Sequence, residues 1–86
     1  MKIYDYHGRK NLCGDAIRIA RCKKHLSQAE LAARMQVNEI LLERDSISRI
    51  EIGTRFVSDY ELKVFSEVLG VGVEELLGIE KPIEKK

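Results

Sequence analysis

Two short runs fix where one helix of the chain begins and where another ends. Residues 27–32 read SQAELA, and residues 47–53 read ISRIEIG. Ser27 and Glu30 have the capping-box spacing, in which each side chain accepts a hydrogen bond from the other residue's backbone N–H. Gly53 closes the second run, and glycine readily adopts the left-handed conformation that ends many helices. The sequence therefore predicts one helix that opens just after Ser27 and another that closes just before Gly53.

Both predicted helices carry apolar residues at helical spacing, at Leu31 and Met35 and at Ile47 and Ile50. A capped helix followed by a second helix with a polar outer face is what a helix-turn-helix unit needs to place that second helix in a DNA groove. The spacer, residues 36–43, is longer than the usual turn of about three to four residues. Because it contains neither proline nor glycine, it either extends the earlier helix or forms a longer turn against the core. We expect the longer turn.

Helical periodicity and end signals predict five helices in all. The two helices around the spacer are expected at about residues 28–35 and 44–52. A first amphipathic helix is expected at about residues 14–24. A fourth opens at a second capping box in residues 58–61 and ends at a glycine, and a short fifth is expected at residues 74–77.

The chain has the size and composition of one folded, all-α domain. Its 86 residues are 44% hydrophobic and 34% charged, which suits a helical bundle and is too short for two independent lobes. No apolar run approaches the roughly 18 residues of a membrane span, and the polar start does not resemble a signal peptide. We expect a cytoplasmic protein that makes no membrane contact. Its parts are an N-terminal arm (1–12), the helical domain (13–78) and a C-terminal tail (79–86).

Charge is distributed unevenly along the chain, although the net charge is only +1. Residues 1–25 carry seven basic and two acidic side chains, whereas residues 26–86 carry eight basic and twelve acidic ones. A basic first third beside an acidic remainder fits one face that meets phosphate and another that meets water or a partner. An ordinary mixed surface would give the same counts.

Neither a metal site nor a catalytic site is expected. His7, Cys13, Cys22 and His25 could in principle supply four zinc ligands, but only the last two have the spacing of paired ligands in structural zinc sites. Reduced, structural cysteines are the better interpretation. The histidines have no evident nucleophile or base partner, so the sequence predicts no enzyme and no cofactor.

Taken together, the motifs resemble the Cro and lambda-repressor-like helix-turn-helix family, often called XRE-like. The matching features lie within about residues 13–78, and they are the following: Arg21, the runs Leu26–Ala32 and Ile47–Glu51, Gly53, the run Leu69–Val71, and Leu76 with Leu77. The chain departs from the family in its spacer, which is about five residues longer than usual, as in some bacterial relatives. The resemblance implies a compact five-helix fold in which helices 2 and 3 form the helix-turn-helix.

The resemblance also implies roles for individual residues. Gln28 would bond a DNA phosphate and steady the third helix, and Arg21 and Glu51 would form a structural ion pair. Thr54 and Arg55 would touch the DNA backbone at the far end of the motif. The third-helix positions facing the major groove would be Arg44, Asp45, Ser48 and Arg49, with Ser46 as a further short donor beside them. A plain solvated helix face remains the alternative for these residues.

The function that follows from the resemblance is a sequence-specific, DNA-binding transcriptional regulator, in particular a repressor bound to a palindromic operator as a homodimer. The expected dimer interface is an apolar set that could equally belong to the core: Val71, Val73, Leu76, Leu77 and Ile79. The alternative is an antitoxin of a toxin and antitoxin pair, or a protein-interaction module built on the same fold. Double-stranded DNA is the expected partner in the first case, with a toxin or another regulator as a possible protein partner.

Overall fold

The computed structural model describes residues 5–79 and contains five α-helices and no β-strand within that range. Numbered in chain order, the helices are α1 (Gly14–Lys23), α2 (Gln28–Val37), α3 (Arg44–Ile52), α4 (Asp59–Leu69) and α5 (Val73–Leu76). The expected all-α, five-helix architecture is confirmed. The predicted N-terminal arm lies partly outside the described residues, and the predicted tail lies outside them apart from Ile79.

Local capping marks the starts of α2 and α4 and the end of α3. The hydroxyl of Ser27 accepts from the Glu30 N–H at 3.0 Å, and the Glu30 carboxylate accepts from the Ser27 N–H at 2.7 Å. An equivalent capping box opens α4 at Ser58. α3 ends at Gly53, whose φ of 89° is left-handed, as a helix-ending glycine requires. Both predicted capping boxes and this predicted stop are confirmed.

The spacer forms the expected longer turn, but this turn begins two residues later than expected. α2 continues to Val37, and residues 38–43 then return the chain to α3. Glu39 reverses the chain direction with a left-handed φ of 67°. Leu42 is 2% exposed and anchors the turn in the core, where its carbonyl accepts from the Gln36 side-chain amide at 2.9 Å. The extra residues of the spacer therefore pack on the domain, although Leu41 is 85% exposed.

The core lies between α1, α2, α3 and α4 and is closed by α5. Burying one large aliphatic or aromatic side chain contributes about 1.5–3 kcal/mol, so a small set of such residues supplies most of the driving force for folding. The largest fully buried side chains are Ile17, Leu31, Met35, Leu42, Ile47, Ile50, Phe65 and Leu76.

The residue pair Asn11 and Gly14 brings the start of α1 directly against the end of α3. The Asn11 amide nitrogen donates to the backbone carbonyls of Ile50 and Arg55, at 2.9 Å each, and its oxygen accepts from the Gly14 N–H at 2.8 Å. A Cβ atom placed on Gly14 would overlap the Ile50 carbonyl oxygen. α1 and α3 therefore meet backbone to backbone, and only glycine fits at this contact.

Within residues 5–79, none of the helices combines the length and apolar character needed to cross a bilayer.

Candidate nucleic-acid interface

One side of α3 is buried and the other is open to solvent. Ile47, Ile50 and Glu51 face inward and are at most 4% exposed. The opposite side carries polar residues that are exposed or half-buried, and these include all five third-helix positions expected to approach DNA: Arg44, Asp45, Ser46, Ser48 and Arg49. The exposed apolar side chain of Ile52 lies at the end of the same helix. α3 thus presents a polar surface with two guanidinium groups.

The two charged residues at the start of α3 form a weak, exposed pair. A guanidinium nitrogen of Arg44 lies 3.6 Å from a carboxylate oxygen of Asp45, and their side chains are 62% and 70% exposed. Pairs of this kind contribute at most about 1 kcal/mol in water. Arg44 can therefore exchange Asp45 for an acceptor on a ligand at little cost.

A buried ion pair ties α3 to α1. The Arg21 Nε donates to one oxygen of the Glu51 carboxylate at 2.6 Å, and Nη2 donates to the other at 3.0 Å. The two side chains are only 12% and 2% exposed, and this two-pronged hydrogen bond raises the pKa of Arg21 above its ordinary value. Arg21 also donates to the Leu26 carbonyl at 2.8 Å, which brings the loop before α2 into the same network.

Gln28 extends this network to the exposed face of α3. Its amide nitrogen donates to the Glu51 carboxylate at 3.0 Å, and its amide oxygen accepts from Arg44 at 3.4 Å. The first residue of α2 and the first residue of α3 therefore lie side by side, in an orientation set by a buried carboxylate. This arrangement fixes the ends of two helices relative to each other and relative to the polar face of α3.

A second ion pair joins the loop after α3 to α4, and the sequence did not predict it. The Arg55 guanidinium donates to both carboxylate oxygens of Glu61, at 3.1 and 3.2 Å. Burial alone would raise the pKa of Glu61, but the hydrogen bonds from Arg55 and from the Ser58 N–H outweigh it, so that the pKa lies below its ordinary value. Thr54 is exposed and its hydroxyl donates to the Arg49 carbonyl at 3.4 Å.

A family model for the helix-turn-helix matches residues 17–76, which covers α2, α3 and the network described above. The chain belongs to the Cro and lambda-repressor-like helix-turn-helix family. Comparisons with curated proteins and with solved structures gave no match. The protein is accordingly a DNA-binding regulator of the XRE type, whose helix-turn-helix consists of α2, the long turn and α3.

The side-chain amide of Gln28 in this helix-turn-helix is not wholly free to bind a phosphate. One N–H and the oxygen of its amide are already engaged within the protein, so its visible role is to hold Glu51 and Arg44 in place. The remaining amide N–H and the start of α2 are the groups left for a phosphate. The predicted phosphate contact of Gln28 remains a prediction.

Arg55 is likewise engaged within the regulator, because the Glu61 carboxylate and the Phe56 carbonyl occupy its two terminal nitrogens. Its side chain is still 31% exposed, so a phosphate contact there also remains a prediction. Neither the Arg55–Glu61 pair nor the bonds from Asn11 to the Ile50 and Arg55 carbonyls had a sequence signal. Both join segments whose separation follows neither a helical nor a strand period.

The two cysteines of the regulator differ in environment. Cys13 is buried, and burial raises the pKa of its thiol to about 11, whereas Cys22 is exposed. Cys13 is thus a small apolar core residue at neutral pH, since the reactive thiolate is suppressed there. Among residues 5–79, no group of three or more histidine, cysteine or carboxylate side chains is placed to hold a metal ion.

Proposed function

We propose that this protein is a sequence-specific transcriptional repressor that binds a palindromic operator as a homodimer, with α3 in the major groove. The observation that supports the proposal is the polar face of α3, whose start is held by Gln28 and the buried Arg21–Glu51 pair. Base reading is favoured when the helix that carries the reading side chains is fixed before DNA arrives, because ordering it on binding would cost affinity. The exposed face of α3 lies on a helix that the buried network already holds in place.

The chemistry of the exposed side chains suits different tasks in the groove. Arg49 is exposed and has the planar fork that pairs with both major-groove acceptors of guanine. Arg44 sits at the start of the helix, from which either a base or a phosphate is within its reach. Asp45 can accept from the cytosine amino group, while Ser46 and Ser48 are short donors that permit close approach. We assign the main base contact to Arg49.

Phosphate contacts are assigned to both ends of the helix-turn-helix. Gln28 lies at the start of α2, where free backbone N–H groups and the helix dipole favour an anion. Thr54 and Arg55 lie just beyond the end of α3. Contacts at both ends would fix the register of α3 along the groove without reading sequence.

A homodimer would recognise more base pairs than a single copy of this small domain can. One short helix reads only a few base pairs, whereas two copies on half-sites about one helical turn apart read twice as many. Leu76 is 1% exposed and belongs to the core, which removes it from the expected interface. The partly exposed apolar residues that remain for an interface are Val71, Val73, Leu77 and Ile79.

Substitution of Arg49 should separate base reading from general affinity. With duplexes recovered from a random library, Arg49→Ala is expected to lose about 1–3 kcal/mol of discrimination at one base pair of each half-site. Arg55→Ala is expected to weaken binding to all duplexes alike and to reduce the salt slope by about one. Fluorescence anisotropy titrations at several salt concentrations measure both quantities.

The matched control for Arg55 is Glu61→Gln, which breaks the same ion pair but keeps the guanidinium. It should lower stability without reducing the salt slope. An Arg49→Ala protein that loses affinity for every duplex by the same factor would remove Arg49 from base reading. A salt slope that is the same in Arg55→Ala as in the parent protein would remove the phosphate contact of Arg55.

A further inference from the structure

The described chain begins with a tight hairpin that the helix-turn-helix does not account for. The backbones of Tyr6 and Arg9 pair in both directions, at 2.6 and 2.9 Å. Between them, His7 and Gly8 have left-handed φ angles of 52° and 81°, as a two-residue type I′ turn requires. We refer to residues 6–10 as the N-terminal hairpin.

The N-terminal hairpin is docked on the carboxyl end of α3. The Lys10 N–H donates to the Gly53 carbonyl at 2.7 Å, and an Arg9 guanidinium nitrogen donates to the Glu51 carbonyl at 3.4 Å. Arg9 also covers Gly53, because a Cβ atom there would lie 2.7 Å from the guanidinium carbon. With Asn11 bonded to the carbonyls nearby, the hairpin is held to the end of α3 by both backbone and side-chain donors.

In the N-terminal hairpin, one cationic side chain and two backbone N–H groups have no hydrogen-bond or ion-pair partner among the described residues. Arg9 is committed to the end of α3 and lies 3.6 Å from Asp15. The Lys10 side chain is exposed and forms neither a hydrogen bond nor an ion pair with any residue in 5–79. The N–H groups of His7 and Gly8 also donate to no residue in that range, and the space beside Gly8 is open.

The length of α3 places this hairpin near a wall of the groove. Nine helical residues span about 13 Å at 1.5 Å each, and the major groove is about 12 Å wide. If the start of α3 reads bases and the helix crosses the groove, its carboxyl end comes close to the phosphates that border the groove. Because the Lys10 backbone is held at that end, only its side chain must be ordered to meet a phosphate oxygen.

We propose that the N-terminal hairpin is an additional DNA-backbone contact of this protein, in which the Lys10 ammonium binds a phosphate at the carboxyl end of α3. This inference rests on the proposed function, since it needs α3 in the groove. This contact adds affinity without sequence preference, and it fixes the position of the carboxyl end of α3 along the DNA.

The test compares Lys10→Ala with Lys63→Ala on the selected duplex and on a random duplex. Lys63 is the control because its ammonium is also exposed but pairs with Glu67 on α4, at 2.7 Å. Lys10→Ala is expected to weaken binding to both duplexes by the same factor, about three- to tenfold at 100 mM salt, and to reduce the salt slope by about 0.9. Lys63→Ala should leave the slope unchanged, and Lys10→Arg should restore it.

Unfolding is not expected to complicate this comparison, because the Lys10 side chain is exposed and forms no hydrogen bond or ion pair with a described residue. The melting temperature of Lys10→Ala should match that of the parent. An unchanged salt slope in Lys10→Ala, with the parent still binding DNA, would overturn the role of the hairpin alone. A parent protein that binds neither duplex would overturn the proposed function and this inference with it.

Discussion

Glu51→Ala is expected to lower the free energy of unfolding by about 3–5 kcal/mol, because it leaves a buried charge without its partner. The Glu51 side chain is 2% exposed and accepts hydrogen bonds from Arg21 and Gln28. Without it, the Arg21 guanidinium would stay in a partly buried site with only the Leu26 carbonyl as a protein acceptor. Since small domains have about 5–15 kcal/mol of stability in total, a loss of this size would leave the protein close to unfolding.

Urea denaturation followed by circular dichroism measures this loss. The control is Glu67→Ala, which breaks the exposed Lys63–Glu67 pair on α4 and should cost about 0.5 kcal/mol or less. If Glu51→Ala were no more destabilising than Glu67→Ala, the Arg21–Glu51 pair would not be what holds α3 to α1. The network would then be a consequence of the fold and not one of its supports.

Gly14→Ala is expected to destabilise the protein, although the same change in most helices is stabilising by up to about 1 kcal/mol. The new methyl group would overlap the Ile50 carbonyl oxygen and would also crowd the Asn11 side chain. α1 and α3 must then separate, and the hydrogen bonds of Asn11 lengthen. Overpacking of this kind costs about 1–3 kcal/mol, and backbone atoms that cannot rotate aside put this site at the upper end.

Gly72→Ala is the matched control, since Gly72 has an ordinary φ of −74° and only the flexible Glu74 side chain close by. Its cost should stay below about 1 kcal/mol. Thermal unfolding of both variants gives the comparison. A Gly14→Ala protein as stable as the parent would mean that α1 and α3 are not in backbone contact.

The sequence predicted the helices well because their ends are marked locally. Ser27 with Glu30, Ser58 with Glu61, and Gly53 are signals that act within four residues, and the structure uses each of them. The predicted end of α2 was two residues early, because the helix continues to Val37 and ends at the C-cap Asn38, after which the left-handed Glu39 turns the chain. Asn38 is itself a local stop signal, since its side-chain amide donates to the Arg34 carbonyl at 3.0 Å, but asparagine marks helix ends less often than glycine does.

The contacts that position the candidate interface were harder to predict. The pairing of Arg21 with Glu51 was expected only through the family resemblance, because no spacing rule connects residues in α1 and α3. Asn11 and the Arg55–Glu61 pair were not anticipated, since their partners are brought close only by the folded chain. Local chemistry thus predicts the elements of this fold, whereas the fixed orientation of α3 arises from long-range polar contacts.

Selection of bound duplexes from a random DNA library at a stated salt concentration tests the claim that α3 of this protein reads a specific palindromic operator. We expect an enriched inverted repeat whose half-site centres are about 10–10.5 base pairs, or a multiple of that distance, apart. Each half-site should contain a guanine whose enrichment disappears with Arg49→Ala. Recovery of no enriched motif would contradict the claim and would favour a protein-interaction module on the same fold.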